Sequence, residues 1–416
     1  MATNGHTAHS KPSTDTAVYD EHHKSFTDSP LPTKPKAWIE RAAQVASILA
    51  EDAAVREKEN KSPFAEVSLL KSSGLTKVLG PGKYGGGGQG WDVAYKVIRE
   101  VAKADGSLGM LLGYHLLWSW TAAVVGTEEQ NERTQKLIIE NNYFVGGAVN
   151  PRDNDQKITD DGDHIIFNGF KHFNTGGVVS DLTVLEGPAI NFLHNWDNLG
   201  LRLTESGSVK IDNVRVPWSD ALGWDPSTKT PIEGILTIPW ATLLLPTIQL
   251  VFSNFYIGIA LGALDFGSKY TVQHTRPWPY TPHPVSTGTD EPYVLQRYGS
   301  FLAHLRAAEA LANVAGEKVR DVYNNHSSKR DITAAERGEL AEWVASVKVV
   351  ATDTALRVTS GIFEVTGARA TASKVGLDRF WRDVRTHTLH DPVAYKEEEL
   401  GRYLVKGEVP EPTWYT

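Results

Sequence analysis

The chain of 416 residues contains no cysteine at all. Disulfide bonds, thiolate nucleophiles, cysteine-ligated zinc and iron–sulfur clusters are therefore excluded. The chain also lacks an excess of positive charge, because 50 acidic residues outnumber 42 Lys and Arg and leave a net charge of −8. Nucleic acid and anionic membranes need a basic surface, so the composition disfavours both as partners.

The N-terminal segment, residues 1–36, has little apolar content. It lacks the apolar region of a secretory signal, and we expect a disordered tail. The C-terminal residues 412–416 do not form a peroxisomal Ser-Lys-Leu signal. From these observations we expect a cytoplasmic protein.

Residues 234–264 contain no Asp, Glu, Lys or Arg. A membrane span needs about 20 apolar residues, which this stretch could supply. However, Pro239 and Pro246 interrupt it, and its flanks show no marked Lys/Arg asymmetry. We therefore expect a helix from about Pro246 to Lys269, buried in a bundle or at a subunit interface, and no membrane span.

Hydrophobic periodicity divides the rest of the chain into a helical domain (37–149), a middle β-domain (150–230) and a second helical region (231–416). This order predicts a mainly α fold with a small β-domain, and it argues against a Rossmann or barrel fold. Thr127, and Thr333 with Glu336, have the pattern of helix N-caps. The predicted helices are Ala37–Asn60, one opened by Ser62-Pro63, Trp91–Ala104, Thr127–Asn141, Pro246–Lys269, Tyr293–Asn324, Thr333–Phe363 and about Ala394–Leu404.

In the middle domain, the pair Asn168-Gly169 between two apolar runs predicts a hairpin turn. The predicted strands are His164–Phe167, Phe170–Phe173, Asp181–Leu185, Ala189–Leu193, Leu201–Thr204 and Val209–Val216.

Two short motifs suggest ligands that their context does not support. Gly80–Gly85 matches G-x-G-x-x-G, but no βαβ pattern surrounds it, so a dinucleotide fingerprint is disfavoured. His387, His390 and Asp391 could suggest a metal site, but further ligands have no obvious source and Pro392 disfavours helix just before it. The sequence contains no G-x-S-x-G elbow, no H-E-x-x-H motif and no P-loop. Taken singly, His115, Thr175 and Trp196 are best interpreted as packing or turn residues.

Taken together, several segments resemble the acyl-CoA dehydrogenase superfamily. The segment from Leu79 to Gly86 resembles its P-x-x-Y-G-G loop, and Ala104–Gly109 and Gly169–Phe173 fit the same superfamily. Within it, the chain is most similar to the dibenzothiophene monooxygenase family. The matching segments are Gly113–Leu116, Ala260–Asp265, Thr275–Trp278, Gly361–Arg369 and Asp378–Pro392.

The resemblance implies an acyl-CoA dehydrogenase fold, with an N-terminal helical domain, a middle antiparallel β-barrel or sandwich, and a C-terminal four-helix bundle in a homotetramer. It also implies a two-component flavin-dependent monooxygenase. A separate flavin reductase supplies reduced FMN, which reacts with O2 at C4a to form a hydroperoxide, and one oxygen atom passes to a soft heteroatom or activated carbon. The implied substrate is small and hydrophobic, with sulfur oxidation of a dibenzothiophene-like compound favoured. FMN is favoured over FAD.

The resemblance also implies roles for individual residues. Histidines suit oxygen transfer because they exchange protons near neutral pH, and a guanidinium binds phosphate bidentately. The implied catalytic residues are His115, Thr175, His387 and His390. The implied flavin-binding residues are Tyr114, Gly147, Phe173, Asn174, Trp196, Arg276, Arg369 and Asp391, with the two arginines facing the phosphate. No metal ligand is implied.

Three departures from the family pattern are visible. Gly147 stands where the family has an Asn that holds the flavin hydroperoxide, Thr175 replaces a serine, and the stretch from Leu185 to Leu193 is short. An FAD-dependent acyl-CoA-type dehydrogenase is an alternative. Such enzymes use a glutamate base in a Tyr-Glu-Gly motif, but near the corresponding place this chain has His390-Asp391. An N- or C-hydroxylase of a secondary metabolite and a non-catalytic binding protein are further alternatives.

Overall fold

The structure is a computed structural model, and it describes residues 16–149, 155–184 and 190–413. Its helices fall into two groups separated by a segment of strands, as the periodicity predicts. The helices are α1 (Asp20–Thr27), α2 (Pro35–Ala50), α3 (Ala53–Glu59), α4 (Phe64–Ser72), α5 (Trp91–Ala104), α6 (Gly106–Val125), α7 (Glu128–Asn141), α8 (Glu233–Leu236), α9 (Leu244–His274), α10 (Pro292–His326), α11 (Ala334–Thr366), α12 (Asp378–His387) and α13 (Val393–Lys406).

The prediction of a disordered tail up to residue 36 is wrong for the part of it that is described. Helix α1 packs on α4, with Tyr19 and Phe26 buried. The Tyr19 hydroxyl donates to Glu66 at 3.4 Å and accepts from Arg56 at 3.2 Å. These partners lie far along the chain, so local composition gave no indication of them. Residues 1–15 of the predicted tail lie outside the described residues.

The predicted helix Ala37–Asn60 is two helices, α2 and α3, because the chain turns at Glu51 and Asp52. The turn directs Arg56 inward, where it donates to the Leu49 carbonyl oxygen at 2.9 Å and pairs with Asp105 at 2.9 Å. A buried ion pair with further hydrogen bonds offsets its own desolvation. The break is therefore imposed by tertiary contacts.

Local signals elsewhere in the helical regions are confirmed. Helix α5 begins at Trp91 and ends at Ala104 as predicted. Thr127 and Thr333 each form a capping box, in which the threonine hydroxyl accepts from the N3 backbone while the N3 side chain accepts from the threonine backbone. The G-x-G-x-x-G segment Gly80–Gly85 is a loop with one 3-10 turn, not a phosphate-binding turn after a strand.

The middle region contains one four-stranded antiparallel sheet, one parallel pair and one short antiparallel pair among the described residues. The sheet has the order β2-β3-β6-β5, and the pairs are β1 with β4 and β7 with β8. The strands are β1 (Val145–Gly147), β2 (Gln156–Asp161), β3 (His164–Lys171), β4 (Leu182–Val184), β5 (Ile190–Phe192), β6 (Val209–Pro217), β7 (Trp224–Asp225) and β8 (Thr230–Pro231).

Two predictions in this region are wrong. Asn168-Gly169 is not a hairpin turn but an irregularity within strand β3, where the Asn168 side-chain oxygen accepts from the Asn213 backbone N–H at 2.7 Å. The actual hairpin joins β2 to β3 through Gly162, whose φ of +68° suits glycine. The predicted strand from Leu201 is a 3-10 turn, because Leu201 itself is left-handed with φ of +54°.

Helices α9, α10 and α11 pack together as the centre of the C-terminal bundle, and α5, α6 and α12 pack on α9. Two helices, Gly106–Val125 and Pro239–His274, are long and apolar enough to cross a membrane by length and composition alone. However, 78% and 83% of their most apolar windows are buried inside the fold. Core helices of this kind are apolar on all sides. Burial inside the fold therefore explains why residues 234–264 carry no charged side chain.

Candidate active site

The end of helix α12 brings two histidine rings together. The helix ends at His387. The backbone N–H of His390 donates to the His387 carbonyl oxygen at 2.9 Å, so one further turn follows the helix end. The two rings are parallel, with their centroids 5.1 Å apart and an angle of 3° between their planes. Phe252 of α9 packs against both rings, at 4.5 Å from His387 and 5.2 Å from His390. The end of the helix therefore places the rings of His387 and His390, both predicted as catalytic residues, face to face.

His387 is the buried member of the pair. Its Nδ1 lies 2.7 Å from the Tyr256 hydroxyl, and its Nε2 lies 3.5 Å from the Tyr114 hydroxyl. Burial, followed by the nearby His390 and Lys348, holds the pKa of His387 well below its usual range. Burial also raises the pKa values of both tyrosines. At neutral pH these three groups are therefore uncharged hydrogen-bonding groups.

His390 is the exposed member, with 46% of its side chain accessible. Its Nδ1 lies 2.9 Å from Asp391 Oδ1, and Asp391 Oδ2 accepts from the fully buried Lys348 at 3.3 Å. Burial alone would raise the pKa of Asp391, but the His390 hydrogen bond and the Lys348 charge outweigh it and hold the pKa below its usual range. An ionised Asp391 orients the imidazole, so Nε2 is the nitrogen left to face a reactant.

Two loops of the β-region hold aromatic and polar side chains. The first loop follows β3 (residues 172–176), and the second joins β5 to β6 (residues 193–208). Phe173 has φ of +61° and is 59% exposed, and its ring stands edge-on to Trp196 at 6.4 Å. The Trp196 indole N–H donates to the Leu201 carbonyl oxygen at 2.8 Å. A left-handed, non-glycine backbone persists only where its surroundings fix it, and such residues cluster at functional sites. Thr175, buried on the first loop, shares a hydrogen bond of 2.9 Å with Ser206 on the second.

The second loop is fastened to helix α12. The Leu201 N–H donates to Asp383 Oδ1 at 2.6 Å, and Asp383 lies one helical turn before His387. Burial raises the pKa of Asp383 to about 7, although the Leu201 N–H opposes the shift. The carboxyl oxygen can accept this hydrogen bond in either protonation state. The wall formed by Trp196 is therefore positioned relative to the histidine pair by one short hydrogen bond.

The structure places His115, which the resemblance predicts as a catalytic residue, between the backbones of two other segments. The Val145 N–H donates to His115 Nδ1 at 2.9 Å, so the proton resides on Nε2, which donates to the Thr76 carbonyl oxygen at 2.9 Å. The ring stacks on Phe144, and burial lowers the pKa of His115 to about 4. Both nitrogens are engaged with the backbone, so His115 joins α6 to β1 as a neutral structural residue. Its neighbour Tyr114 faces His387 instead.

The two arginines predicted at the phosphate do not join the histidines within one chain. Arg369 donates to the His274 carbonyl oxygen at 2.7 Å, and Arg276 follows two residues later, so the two arginine-bearing segments lie side by side. Both arginines are exposed. The 18 residue steps from Tyr256 to His274 extend about 27 Å along helix α9 at about 1.5 Å per residue. The arginines and the histidine pair are thus at opposite ends of that span.

Gly147 lies in the buried strand β1, and its N–H donates to the Thr175 carbonyl oxygen at 3.4 Å. It contributes a backbone contact next to the Thr175 loop. The sequence did not single out Tyr256, Phe252, Lys348 or Asp383. The available signals were a lone Lys348 within the otherwise apolar segment Val347–Ala351 and the position of Asp383 inside the Asp378–Pro392 motif.

The residues present fit a flavin. Asn174 is 1% exposed, yet both its amide nitrogen and its amide oxygen have no partner among the residues that the structure describes. An unpaired buried amide is unfavourable by about 1–3 kcal/mol, and the edge of a flavin ring presents both acceptors and a donor to such a group. The exposed ring of Phe173 beside it offers a face for a flat heterocycle. Asn174 and Phe173 are therefore the described residues that best match the ring system.

Comparison with known proteins gives the same class of fold. The model of the acyl-CoA dehydrogenase N-terminal domain matches residues 37–141, and that of the C-terminal domain matches residues 250–394. The dibenzothiophene monooxygenase of Mycolicibacterium goodii is 40% identical over 387 residues, covering 86% of this chain and 91% of that protein.

Solved structures extend the likeness to the whole architecture. The TdsC complex with FMN and indole from Paenibacillus sp. A11-2 is 32% identical with a TM-score of 0.83, covering 91% of this chain and 100% of that chain. The methanesulfinate monooxygenase MsuC from Pseudomonas fluorescens is 33% identical with a TM-score of 0.83, covering 91% and 99%.

The fold and the histidine site define a flavin-dependent oxygenase built on the acyl-CoA dehydrogenase fold. Within that superfamily, the chain belongs to the dibenzothiophene monooxygenase family of flavin-dependent monooxygenases. The predictions of fold class, of enzyme class and of FMN as cofactor are confirmed.

Proposed function

We propose that this protein is the oxygenase component of a two-component system that uses reduced FMN and O2 to oxygenate the sulfur of a hydrophobic, dibenzothiophene-like substrate. The observation that carries the proposal is the half-exposed His390, oriented by Asp391 and stacked on the neutral His387. A dehydrogenase of the same fold would need a carboxylate base facing the substrate. Here the carboxylate, Asp391, is turned toward His390 and Lys348.

In the overall reaction one oxygen atom of O2 is added to sulfur, the other leaves as water, and the bound reduced flavin supplies the two electrons. The protein's part is to orient the reactants, exclude water and control protons. His390 Nε2 holds or releases a proton beside the reacting oxygen, while His387 and Tyr256 form an uncharged wall behind it. Phe252 and Tyr114, stacked at 5.7 Å, close the side toward α9 and α6.

A second candidate is oxygenation of a small sulfur compound such as a sulfinate. It is favoured by the likeness to MsuC, whose structure covers nearly the whole chain. The same histidine chemistry would serve either substrate, so the two candidates differ in the shape of the pocket and not in the reaction.

Two further features belong to the proposal. The flavin reductase predicted from the resemblance would deliver reduced FMN in the cytoplasm. In the predicted homotetramer, a neighbouring copy could place Arg276 and Arg369 at the phosphate, because in one chain they lie far from the histidines.

The test is a coupled assay with a flavin reductase, NADH and FMN under ¹⁸O2. Dibenzothiophene and methanesulfinate are offered separately, and products are analysed by mass spectrometry. We expect one ¹⁸O atom per sulfoxide formed from dibenzothiophene. Product from methanesulfinate alone would select the second candidate. Reduction of bound FAD by an acyl-CoA, with no ¹⁸O-labelled product from either sulfur compound, would refute both.

A further inference from the structure

Lys348 of helix α11 is one of the few cations buried completely in this fold, with none of its side chain exposed. Among the described residues, its ammonium group has one hydrogen-bond partner, Asp391 Oδ2, at 3.3 Å. It also lies 5.3 Å from the centre of the Phe252 ring. Burial lowers the pKa of Lys348, and Asp391 opposes the shift. An apolar side chain of the same length would fill this space with no loss of solvation, so packing alone does not explain a lysine here.

Both contacts of Lys348 connect to the histidine pair. Asp391 uses its other oxygen to bind His390 Nδ1 at 2.9 Å, and Phe252 packs on both imidazoles. Lys348 itself contacts neither ring of the pair through a hydrogen bond. It can therefore act on His390 only through the carboxylate and through the field of its charge.

We propose that Lys348 is a positioning residue that holds the Asp391 carboxylate between itself and His390. His390 then donates its Nδ1–H to Asp391 and presents an unprotonated Nε2 to the reactants. Without the cation, the carboxylate would be balanced by His390 alone. His390 would then be drawn into a cationic ion pair with Asp391, and Nε2 would carry a proton.

The other ionisable groups around this carboxylate do not replace Lys348. Tyr114 from α6 and Tyr256 from α9 are neutral, and so is His387 from α12. Lys396 from α13 is a cation close enough to act on Lys348, but its ammonium group pairs with Glu399 at 2.8 Å. Lys348 is thus the described cation that is bound directly to Asp391.

The first test needs neither flavin nor turnover, although the role itself rests on the proposed function. The ¹⁵N spectrum of labelled histidine reports which ring nitrogens are protonated, and a His390→Gln sample assigns the signals. In Lys348→Met at pH 7 we expect the unprotonated Nε2 signal of His390 to weaken and a doubly protonated ring to appear. The matched control is Lys396→Met, which removes another buried lysine without touching Asp391. An unchanged His390 spectrum in folded Lys348→Met would overturn the proposal.

A second measurement follows the rate. In Lys348→Met the acid limb of the kcat profile should move to higher pH by on the order of one unit, because a cation near an acid–base pair has been removed. In an Asp391→Asn background, Lys348→Met should cause a clearly smaller shift, since the contribution through the carboxylate is gone and only the field of the Lys348 charge remains. A full additional shift in that background would show that Lys348 acts elsewhere. If the parent itself makes no product, the proposed function fails while the ¹⁵N result still decides the role of Lys348.

Lys348→Met could fail to fold, which circular dichroism would show. In that case Lys348→Gln and Lys348→Arg are compared. The neutral amide should reproduce the doubly protonated His390 signal and the guanidinium should restore the parent spectrum. Identical spectra from both variants would overturn the proposal.

Discussion

The indole of Trp118 occupies the space that a side chain at Gly147 would need. A Cβ atom on Gly147 would lie 2.5 Å from both Nε1 and Cε2 of Trp118. The indole ring stands edge-on to Tyr114 at 6.1 Å, and its N–H has no partner among the described residues. The departure from the family pattern at Gly147 is therefore coupled to a large side chain on helix α6 that fills the same volume.

This coupling predicts that Gly147→Ala is destabilising. The added methyl group must displace the indole, and overpacking of this kind lowers the free energy of unfolding by about 1–3 kcal/mol. Trp118→Leu should relieve the clash, so the loss in the double variant should be smaller than the sum of the two single losses. Urea denaturation measures all three. Gly299→Ala, where a Cβ meets nothing within 4 Å, serves as the control and should show no loss. Additive effects of Gly147 and Trp118 would contradict the coupling.

His390→Ala should lower the rate of oxygenation by about 10²–10⁴-fold, the usual contribution of a general acid or base. FMN should still bind, because the described groups that fit the flavin ring are Asn174 and Phe173 in the β-region. Product formation and flavin fluorescence titration measure the two effects separately. Leu389→Ala, at a neighbouring residue that is 68% exposed, is the control and should keep its activity. A fully active His390→Ala protein would remove this residue from the mechanism.

His115→Phe should affect stability and not chemistry. The substitution leaves the Val145 N–H and the Thr76 carbonyl oxygen without partners, a loss of about 2–3 kcal/mol in the free energy of unfolding at pH 7.5. Product formed per folded molecule should stay close to that of the parent protein, in contrast to His390→Ala.

His115 also predicts a pH dependence of stability. The pKa of this buried histidine is lowered from 6.5 to about 4. Between these values the unfolded chain binds the proton and the folded chain does not, so the stability of the parent falls as pH decreases from 6.5 to 4. The histidine accounts for on the order of 3 kcal/mol of this fall. Urea midpoints should decline less steeply in His115→Phe than in the exposed control His283→Phe, and equal slopes would assign the pH dependence to other groups.

Sequence reasoning succeeded where the determining interactions are local. Trp91–Ala104 follows from helical periodicity, and the caps at Thr127 and Thr333 follow from hydrogen bonds that span three residues. It failed where distant partners decide the structure. The break after Ala50 depends on Arg56 reaching Asp105, and the irregularity at Asn168 depends on Asn213.

The candidate site shows the same division. The resemblance in Asp378–Pro392 located His387, His390 and Asp391, which the structure brings together. It did not distinguish His115 from Tyr114, since which of two adjacent side chains faces the site depends on the rotation of α6 in the bundle. Lys348 and Tyr256 reach the site from helices α11 and α9. Their roles depend on helix packing that a single sequence does not encode in any local pattern.

The hydrogen bond between Asp383 and Leu201 predicts a specific effect on flavin affinity. Asp383→Ala leaves the Leu201 N–H without an acceptor and frees the loop that holds Trp196. We expect the KM for FMN to rise about ten-fold or more, because an unsatisfied buried donor is unfavourable by about 1–3 kcal/mol. Asp383→Asn keeps an oxygen at the same place, and since the parent carboxyl has a pKa of about 7, a neutral amide resembles its protonated form. The asparagine variant should therefore retain a KM close to that of the parent, as should Asp353→Ala at an exposed site on α11. Equal defects in Asp383→Ala and Asp383→Asn would show that the charge of this carboxyl, and not its hydrogen bond to Leu201, sets the position of the Trp196 wall.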